Sequence, residues 1–536
     1  MQPPGRKWFF GFCAVAIVYI ILSGVGLHID GASSSTETQE NKEWVASSRY
    51  WLDRQACNWL GLCGAMHLRS SQWTWPSVGE DLPTEIPDWK DFWTSGGGDA
   101  TAWSVEETNL RRIPQYVLDH APYVHLFSGE RFWPSDVAEH LVHMSPALNY
   151  TVIERMAGDR NLSNLNELND IEEGRHGRFL YLQSDDNVEE QPDWLTSTHN
   201  IPIAPDPQEH ANLWPEADGP VDQFNRQAGE LQSLCDPLHG TCFDPFHPPP
   251  GPKPDLRRRH ERDFTGFKDR SKNLGKSKAP AILIVADKGN GVVDAFWFFF
   301  YSFNLGQKVL NIRFGNHVGD WEHTMIRFKD GKPDSVFLSE HDFGAAYTWS
   351  ALEKYLPNPD GSPTMLGTWS NRTAIKLAKR PVVYSAIGSH AMYATPGLHP
   401  YILPFGLLHD QTDRGPLWDP ALNVKAFTYQ TGEKSLRASL LNPQAPVGWL
   451  NYAGHWGDKY YPLSDPRQYR FAGQYHYVNG PTGPKFKRLG REQICQGRGP
   501  CNIKQWIGTE FVVSLPMGED VEDGGLPGGN STDDLP

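Results

Sequence analysis

Positive charge is scarce in this 536-residue sequence, because 49 Lys and Arg residues stand against 64 Asp and Glu residues, for a formal net charge of −15. A surface of that sign repels a polyanion, so the balance argues against a nucleic-acid-binding protein. The sequence also lacks HExxH, GxSxG and GxxxxGK motifs, and it has no GxGxxG that opens a helix. A standard zincin, serine hydrolase or nucleotide-binding enzyme is therefore not predicted.

Cysteine is also rare, and its spacing is informative. Of the seven cysteines, Cys13 lies in an apolar N-terminal segment and the other six fall into three close pairs. Such pairing is typical of an oxidising compartment and predicts three disulfide bonds, with six free or buried thiols as the alternative. The pairs are Cys57 with Cys63, Cys235 with Cys242, and Cys495 with Cys501. Glycosylation sequons, which agree with a lumenal location, occur at Asn149, Asn161, Asn371 and Asn530.

Charged residues are absent from Trp8 to Ile29, a segment long enough to span a membrane as a helix. Arg6 and Lys7 precede it, so the positive-inside rule predicts a short cytosolic tail and a lumenal body. A cleaved signal peptide is the competing interpretation, although its apolar region is normally shorter. We expect a single-pass type II protein of the secretory pathway.

Aromatic residues and turn formers are abundant: 26 Phe, 20 Trp and 19 Tyr occur with 50 Gly and 43 Pro. This composition favours short strands joined by turns. A hairpin turn is predicted at residues 287–291 and a helix at 350–356. We expect a mainly β fold, with a β-sandwich-like core, a mixed N-terminal lobe and an N-terminal transmembrane helix. Apolar runs of strand length occur at residues 279–286, 292–303, 321–328, 335–338, 381–386 and 511–515.

Changes in composition divide the chain into successive segments. The lobe and the core, with the linker between them, form the predicted body. In chain order we expect a cytosolic tail (1–7), a transmembrane signal anchor (8–29), a stem that acts as a spacer (30–100), the N-terminal lobe (101–240), a Pro-rich and basic linker (241–278), the β-rich core (279–516) and a disordered acidic tail (517–536).

The sequence GNHVGDWEH, residues 315–323, opens a predicted strand with several ionisable side chains. Because side chains alternate along a strand, Asp320 and Glu322 are expected on one face. Trp321 and His323 are then expected to pack on the opposite face. Two carboxylates therefore share one surface, which is unfavourable unless a neighbour neutralises them.

A divalent cation is the predicted neutralising partner of this carboxylate pair. His317 lies beside a Gly-Asn turn and could fold over as a third ligand to a site formed with Asp320 and Glu322. Oxygen ligands with one imidazole would suit Ca²⁺, Mg²⁺, Mn²⁺ or Zn²⁺. The alternative is a hydrated rim in which the acids form a salt bridge with Arg313 or Arg327.

Further polar residues follow other predicted strands and are candidates for the same pocket. Loops at one end of a β scaffold commonly converge in this way. Each histidine could equally be a structural residue held by hydrogen bonds. The candidates are His390, His409, Asp410, Asp419, His455 and Asp458.

Several of these segments resemble the vacuolar protein sorting-associated protein 62 family, which comprises fungal proteins with plant relatives. The resemblance covers most of the chain from about residue 110 to 505 and implies a role in delivering proteins to the vacuole. It is carried by KGNGVVDAFWFFFYSFNLG (288–306), FGNHVGDWEHTMIRF (314–328), YSAIGSHAMYATPG (384–397), LLHDQTDRGPLWDP (407–420), GHWGDKYYPL (454–463) and YVLDHAPYVHLFSGERFWPSD (116–136).

The DWEH sequence is also similar to the GHRHDWEH motif of the necrosis- and ethylene-inducing cytolysins. In that family a His, the Asp and the Glu hold a divalent cation on a β-sandwich near membrane glycolipid headgroups. The similarity implies the same roles for His317, Asp320 and Glu322. Two departures weaken it, since the second motif His is Gly319 and the family's additional Asp ligand has no acidic counterpart at residues 305–308.

Together these patterns predict a membrane-anchored lumenal protein of vacuolar sorting, located in the secretory pathway or the vacuolar membrane and without enzymatic activity. Its cation-bearing end is expected to bind a glycan, a lipid headgroup or a protein cargo. The alternative is a metal-dependent hydrolase of a glycoconjugate or phosphoester, with His390 or His409 as the acid-base residue. A third interpretation is a purely structural domain whose polar clusters are internal hydrogen bonds.

Overall fold

The computed structural model describes residues 35–68, 90–153, 162–171, 173, 177–204, 274–309, 312–341, 343–357, 363–366, 379–402 and 408–507. The predicted anchor at residues 8–29 lies outside these ranges, as do the predicted strand 511–515 and the acidic tail. Among the described residues, no helix is long and apolar enough to cross a membrane.

Strands dominate the structure, as the composition predicts. Numbered along the chain, they are β1 (Leu62–Cys63), β2 (Tyr123–His125), β3 (Met144–Leu148), β4 (Thr151–Val152), β5 (Leu180–Ser184), β6 (Leu274–Gly275), β7 (Ala281–Asp287), β8 (Val292–Asn304), β9 (Gln307–Val309), β10 (Ile312–Phe314), β11 (His317–Lys329), β12 (Lys332–Glu340), β13 (Phe343–Thr348), β14 (Lys354–Pro357), β15 (Pro363–Leu366), β16 (Arg380–Ser385), β17 (Met392–Tyr393), β18 (Gly397–Ile402), β19 (Leu408–Thr412), β20 (Leu417–Trp418), β21 (Val424–Gln430), β22 (Ser435–Ala438), β23 (Arg470–Phe471), β24 (Gln474–Tyr475) and β25 (Ile503–Lys504).

The helices of the described residues are short and lie mostly before β8. The α-helices are α1 (Ser35–Ala46), α2 (Trp51–Leu60), α3 (Lys90–Thr94), α4 (Val105–Leu110), α5 (Gln115–Asp119), α6 (Val137–Val142) and α7 (Asp193–Thr196). Single 3-10 turns or short 3-10 helices occur at Ala65–His67, Ala100–Ala102, Leu162–Asp170, Val188–Glu190, Thr198–Asn200, Trp349–Ala351, Pro420–Leu422, Gly448–Asn451 and Pro484–Lys487.

The largest sheet has eight strands in the order β22-β21-β7-β8-β11-β12-β13-β25. The central pairs β7-β8, β8-β11, β11-β12 and β12-β13 are antiparallel, whereas β21-β7 and β13-β25 are parallel. The predicted hairpin turn between β7 and β8 is confirmed, because the Lys288 amide donates to the Val292 carbonyl at 3.0 Å. Asn290 adopts a φ of 52° in this turn, a conformation that Asn tolerates well.

The strand β8 is buried on both faces, as its continuous aromatic run predicts. Alternate side chains enter two different hydrophobic clusters: Phe296 and Phe298 point to one side of the sheet, and Trp297 and Phe299 point to the other. The eight-stranded sheet is therefore the middle layer of the body, covered on both sides.

A second sheet covers one of these sides. Its path runs β15-β14-β16-β2-β20-β6, and β17 pairs with β16. Val124, Val383 and Trp418 of this sheet belong to the same cluster as Trp297 and Phe299. Because β2 from the predicted N-terminal lobe lies between β16 and β20 of the predicted core, the two segments share one sheet. A β-sandwich in the strict sense stays a prediction.

Residues 350–356 do not form the predicted helix. A 3-10 turn at Trp349–Ala351 is followed by β14, which pairs antiparallel with both β15 and β16. Hydrogen bonds to two neighbouring strands outweigh the local helical preference, which is a weak determinant on its own.

The predicted stem is folded onto the body wherever the structure describes it. The indole of Trp44 donates to the Tyr461 carbonyl at 2.9 Å, and the indole of Trp93 donates to the Asp136 carboxylate at 3.1 Å. Both indoles are buried. The tryptophans give this segment apolar surface that an extended spacer would leave in water.

Two predicted disulfides, Cys57–Cys63 and Cys495–Cys501, are formed. Cys235 and Cys242 lie outside the described residues. Of the four sequons, the structure describes Asn149, which is half-buried and accepts a hydrogen bond from Lys459. The sequons outside the described residues are Asn161, Asn371 and Asn530. The predicted linker also ends earlier than residue 278, because β6 pairs with β20.

Candidate functional site

The strand β11 places the DWEH residues in the middle of the large sheet. Asp320 lies opposite Tyr301 of β8, and Trp321 lies opposite Phe300. The two faces differ as the alternation predicts, since Trp321 joins the aromatic cluster below the sheet and Asp320 points to the other side, where it contacts His390. The strand therefore places Trp321 in a cluster rich in aromatic rings on one side and Asp320 on the other side.

Gly319 allows this strand to approach the loop that contains Trp456. Its φ is +71°, and a Cβ atom at this position would lie 2.2 Å from the Trp456 carbonyl oxygen. A side chain here would therefore displace the neighbouring backbone. This explains in physical terms why glycine stands where the cytolysin motif has its second histidine.

Asp320 and Glu130 share one histidine. Nδ1 of His390 lies 2.9 Å from a carboxylate oxygen of Asp320. Nε2 contacts the Phe132 carbonyl at 3.1 Å and lies 3.8 Å from a carboxylate oxygen of Glu130. The imidazole is completely buried and stacks on the Tyr301 ring with the centroids 3.6 Å apart. The turn between β16 and β17 holds it in the left-handed region, with a φ of 55°.

His390 is held in its protonated form by these carboxylates. Burial alone would lower the pKa of its imidazole, but the hydrogen bond to Asp320 and the charges of Asp320 and Glu130 outweigh burial and raise the pKa to about 9. Burial also favours the neutral form of Glu130, but the charge of His390 and the backbone amides of Phe132 and Gly388 outweigh it and hold the pKa of this carboxyl below its ordinary value. The result is a buried cation between two acids.

Glu322 has no such cation in direct contact. Its carboxylate accepts a hydrogen bond from the Ser339 hydroxyl, and it accepts another from the His341 amide at 3.3 Å. Burial, and secondly the charge of Asp320, raises the pKa of Glu322 to about 8. At neutral pH this side chain is therefore mostly a neutral acid that can donate a hydrogen bond.

A second histidine and acid pair lies beside Glu322. Nε2 of His341 contacts a carboxylate oxygen of Asp410 at 2.9 Å. Burial lowers the pKa of His341, but the hydrogen bond to Asp410 and the charges around it prevail and raise the pKa to about 9. Asp410 is fully buried, whereas 33% of the His341 side chain is exposed. Three further hydrogen bonds fix Asp410, from Gln307, Ser389 and Tyr393.

His317 lies at the beginning of β11 and is half-buried. Its Nδ1 contacts the Gly319 carbonyl at 2.7 Å. Burial lowers the pKa of its imidazole, while the charge of Asp320 opposes this effect. His317 and His341 are therefore the partly exposed members of a group whose acids are buried. We call His317, Asp320, Glu322, His341, His390 and Asp410 the acid and histidine site.

The predicted cation ligands do not form a cation centre in this arrangement. Asp320 is engaged by His390, and Glu322 is engaged by Ser339 and His341. Among the described residues, no group of three or more His, Cys, Asp or Glu side chains has a geometry that could hold a metal ion. The cation site therefore stays a prediction.

The arginines proposed as the alternative partners bind elsewhere. Arg327 forms a bidentate pair with Asp294, with distances of 2.7 and 2.8 Å. Arg313 donates to the Gly306 carbonyl. Asp320 is instead paired with the His390 imidazolium, and Glu322 is hydrogen-bonded by Ser339 and by His341, a residue that had not been singled out in the sequence.

The other candidate pocket residues have their contacts in different places. His390 and Asp410 belong to the acid and histidine site, and His409 precedes Asp410 on β19. Asp419 pairs with Arg380 at 2.7 Å. His455 contacts the Gly480 carbonyl at 2.7 Å, and Asp458 accepts the Ser184 amide and the Tyr461 hydroxyl. These contacts hold loops of the body in place.

Comparison with known proteins identifies relatives in Saccharomyces cerevisiae (strain ATCC 204508 / S288c). Vacuolar protein sorting-associated protein 62 is 33% identical to this chain over 431 residues, which cover 78% of the chain and 75% of the relative. TDA6, a second yeast protein whose name refers to vacuolar protein sorting, is 33% identical over 405 residues, which cover 74% of the chain and 70% of the relative. No protein-family model and no solved structure matches the chain.

This chain belongs to the vacuolar protein sorting-associated protein 62 family. The resemblance predicted from the sequence is thereby confirmed. A match of 431 residues is longer than the predicted core of residues 279–516, so the relatives share sequence beyond that core. This agrees with the shared sheet, in which strands from both predicted segments pair.

Proposed function

We propose that this protein takes part in vacuolar protein sorting as a membrane-anchored protein with a lumenal body. Two relatives whose names refer to vacuolar protein sorting support the sorting role. The uncharged segment Trp8–Ile29, the two disulfides and the sequons support the lumenal position. The proposed task of the acid and histidine site is to bind a glycan on a cargo protein or on a lipid headgroup.

The observation that supports glycan binding is a fixed group of buried acids and imidazoles that reaches the surface at His341, whose side chain is 33% exposed. Carboxylates accept hydrogen bonds from sugar hydroxyls, and protonated imidazoles donate to them. Here the acids are already buried and oriented by Ser339, His341 and His390, so little ordering remains to be done on binding.

An exposed aromatic ring lies close to this group in the chain. Phe343 begins β13, two residues after His341, and 59% of its surface is exposed. A large exposed ring beside polar side chains is a common platform for the apolar face of a sugar. A divalent cation held by His317, Asp320 and Glu322 would supply a further contact to sugar oxygens. Chelation with EDTA tests whether the cation is needed.

Binding of the purified full-length protein in detergent to a glycan array tests this proposal. We expect wild type to bind at least one glycan class, and Phe343→Ala and His341→Gln each to weaken that binding about tenfold, which corresponds to about 1.4 kcal/mol. Trp506→Ala is the matched control, because Trp506 is also exposed and lies outside the site. A wild type that binds no glycan, or variants that bind as wild type does, would overturn the proposed ligand.

Chelation separates the two forms of the proposal. If EDTA abolishes binding and Ca²⁺, Mg²⁺, Mn²⁺ or Zn²⁺ restores it, the predicted cation bridges the glycan. If EDTA has no effect, the side chains bind the sugar directly. Release of free sugar or phosphate from the bound ligand would instead support the hydrolase alternative.

The sorting role is tested by complementation of a yeast strain that lacks both relatives. We expect expression of wild type to return a vacuolar hydrolase from the medium to the vacuole, and we expect the His341→Gln and Phe343→Ala variants to do so less well. Equal secretion with and without this protein would contradict the sorting role. Glycosidase digestion tests the topology, since a cytosolic body would show no shift in mobility.

A further inference from the structure

The segment Tyr50–Leu68 exposes an unusual amount of apolar surface. Trp59 and Leu52 are 75% and 71% exposed. An exposed patch of large apolar side chains on a soluble body usually marks an interaction surface. We call the exposed side chains of this segment the N-terminal patch: Tyr50, Trp51, Leu52, Trp59, Leu60, Met66 and Leu68.

The helix α2 points its apolar face outward. At 100° per residue, Trp51, Leu52 and Trp59 lie on one side of the helix. The opposite side carries Asp53 and Cys57, both of which are buried against the body. This arrangement is the reverse of an ordinary amphipathic surface helix, which buries its apolar side.

The N-terminal patch is held rigidly. The Cys57–Cys63 disulfide closes the segment, and the Gly64 amide donates to Asp53 at 2.8 Å. β1 pairs with β23 of the body. The outward orientation of the tryptophans is therefore fixed by bonds on the inner side of the helix.

The exposed charges of this segment are basic. Arg54 of the segment is partly exposed, and Arg49, which immediately precedes the segment, is exposed. Asp53, which is the acid between residues 47 and 68, is 6% exposed and already accepts the Gly64 amide. A patch that combines tryptophans with arginines therefore stands on a chain whose net charge is −15.

We propose that the N-terminal patch lies in the interfacial layer of a lipid bilayer. Tryptophan and tyrosine are enriched at that depth, because their rings are apolar and their N–H and O–H groups remain hydrated. Apolar rings flanked by arginines are also typical of segments that bind anionic bilayer surfaces. The proposal rests in part on the proposed anchor, since Ile29 is only 21 residues before Tyr50 and would hold the patch near the membrane.

Hydroxyl-radical footprinting with mass spectrometry tests this on the full-length chain in phosphatidylcholine vesicles. Trp51, Trp59 and Trp506 are 59%, 75% and 62% exposed, so without a membrane contact they should react at similar rates. We expect Trp51 and Trp59 to react about fivefold more slowly than Trp506, because the bilayer interface excludes water from the indole rings. Equal rates for the three tryptophans would overturn the proposal.

A charge-reversal pair tests the contribution of the arginines. In vesicles that also contain phosphatidylserine, Arg49→Glu should reduce the protection of Trp51 and Trp59, and Arg498→Glu, another exposed arginine, should not. Protection that Arg49→Glu leaves unchanged would contradict the electrostatic part of the proposal.

The other occupant to consider is a second copy of this chain. Protection by self-association fades as the protein-to-lipid ratio is lowered, whereas protection by lipid persists, so fading protection would overturn the membrane proposal. Failure of the proposed anchor at residues 8–29 can be distinguished from failure of the patch proposal. Without the anchor, alkaline carbonate would wash the chain from the vesicles. In that case the footprint is repeated with the washed chain added back to fresh vesicles, and Trp51 and Trp59 are still expected to be protected.

Discussion

The two faces of β11 show how one strand serves stability on one side and fixes charges on the other. Below the sheet, the Trp321 ring lies 4.6 Å from Phe300 and 5.3 Å from Trp456, measured between ring centroids. Above the sheet, Asp320 and Glu322 are almost as deeply buried, but their carboxylates are engaged by His390 and Ser339. Buried acids are tolerated there because partners satisfy them, whereas the aromatic face needs only close packing.

Two buried histidines on opposite faces of the sheet differ in the same way. His323 lies on the aromatic face with its ring 5.1 Å from that of Phe298, and neither of its ring nitrogens has a hydrogen-bond partner among the described residues. Burial holds the pKa of His323 well below its ordinary value. His390 lies above the sheet between two acids and is protonated. Position relative to the sheet, rather than the residue type, decides the charge.

The largest expected effect comes from the aromatic face. Trp321→Ala removes a completely buried indole from the cluster formed with Trp449 and Trp456. We expect a loss of about 4 kcal/mol in the free energy of unfolding, measured by urea denaturation, because a cavity of this size cannot collapse. Trp506→Ala is the control and should change stability by less than about 0.5 kcal/mol. A small loss at Trp321 would mean that the aromatic face is not a packed core.

The second-largest loss of stability is expected on the face of β11 that carries Asp320 and Glu322. His390→Phe keeps an aromatic ring against Tyr301 but removes the cation between Asp320 and Glu130. We expect a loss of about 3 kcal/mol, because two buried carboxylates are left without a charged partner. The measurement is again urea denaturation at neutral pH. Stability equal to wild type would show that the acids are not held by His390.

The alternation of β11 could be predicted from the sequence, because the period of a strand fixes which side chains share a face. Some of the residues that hydrogen-bond these acids could also have been predicted. The turn at Asp330 and Gly331 sets the register of the β11–β12 hairpin, which brings Ser339 and His341 beside Glu322. A search for the residues across that hairpin would have identified His341 as a site residue.

The remaining partners could not be read from the sequence. Glu130 comes from a loop after β2, and His390 comes from a turn after β16, so their meeting depends on how the two sheets pack. The strand β14 could not be predicted either, because its pairing with β16 overrides the helix predicted at 350–356. Long-range pairing of this kind leaves no local pattern in the chain.

An intermediate effect on stability is expected for Glu189, an acid that contacts Tyr477 of the aromatic cluster below the sheet. Glu189 accepts the hydroxyl of Tyr477, and burial raises the pKa of Glu189 to about 7. The folded state therefore prefers the protonated acid, and its contribution to stability is present below about pH 4.5 and lost as the pH rises through about 7. We expect Glu189→Gln to match wild type at low pH and to be more stable by about 1 kcal/mol at pH 8. Urea denaturation at both pH values measures this, and Glu190→Gln is the exposed control.

A Glu189→Gln difference that did not change with pH would contradict the buried state of this acid. It would also remove the distinction between an acid held by a cation, such as Asp320, and an acid held only by a hydroxyl group.

The smallest effect is expected for His323→Phe, which is matched to His390→Phe in chemistry and burial. The His323 ring lies among Phe296, Phe298 and Phe337, so a phenyl ring continues the packing. Its two unpaired nitrogens cost desolvation that the substitution recovers, which offsets the strain of a slightly larger ring. We expect stability within about 1 kcal/mol of wild type by urea denaturation. If His323→Phe were as damaging as His390→Phe, the imidazole of His323 would need a polar partner, and the two faces of β11 would not differ in kind.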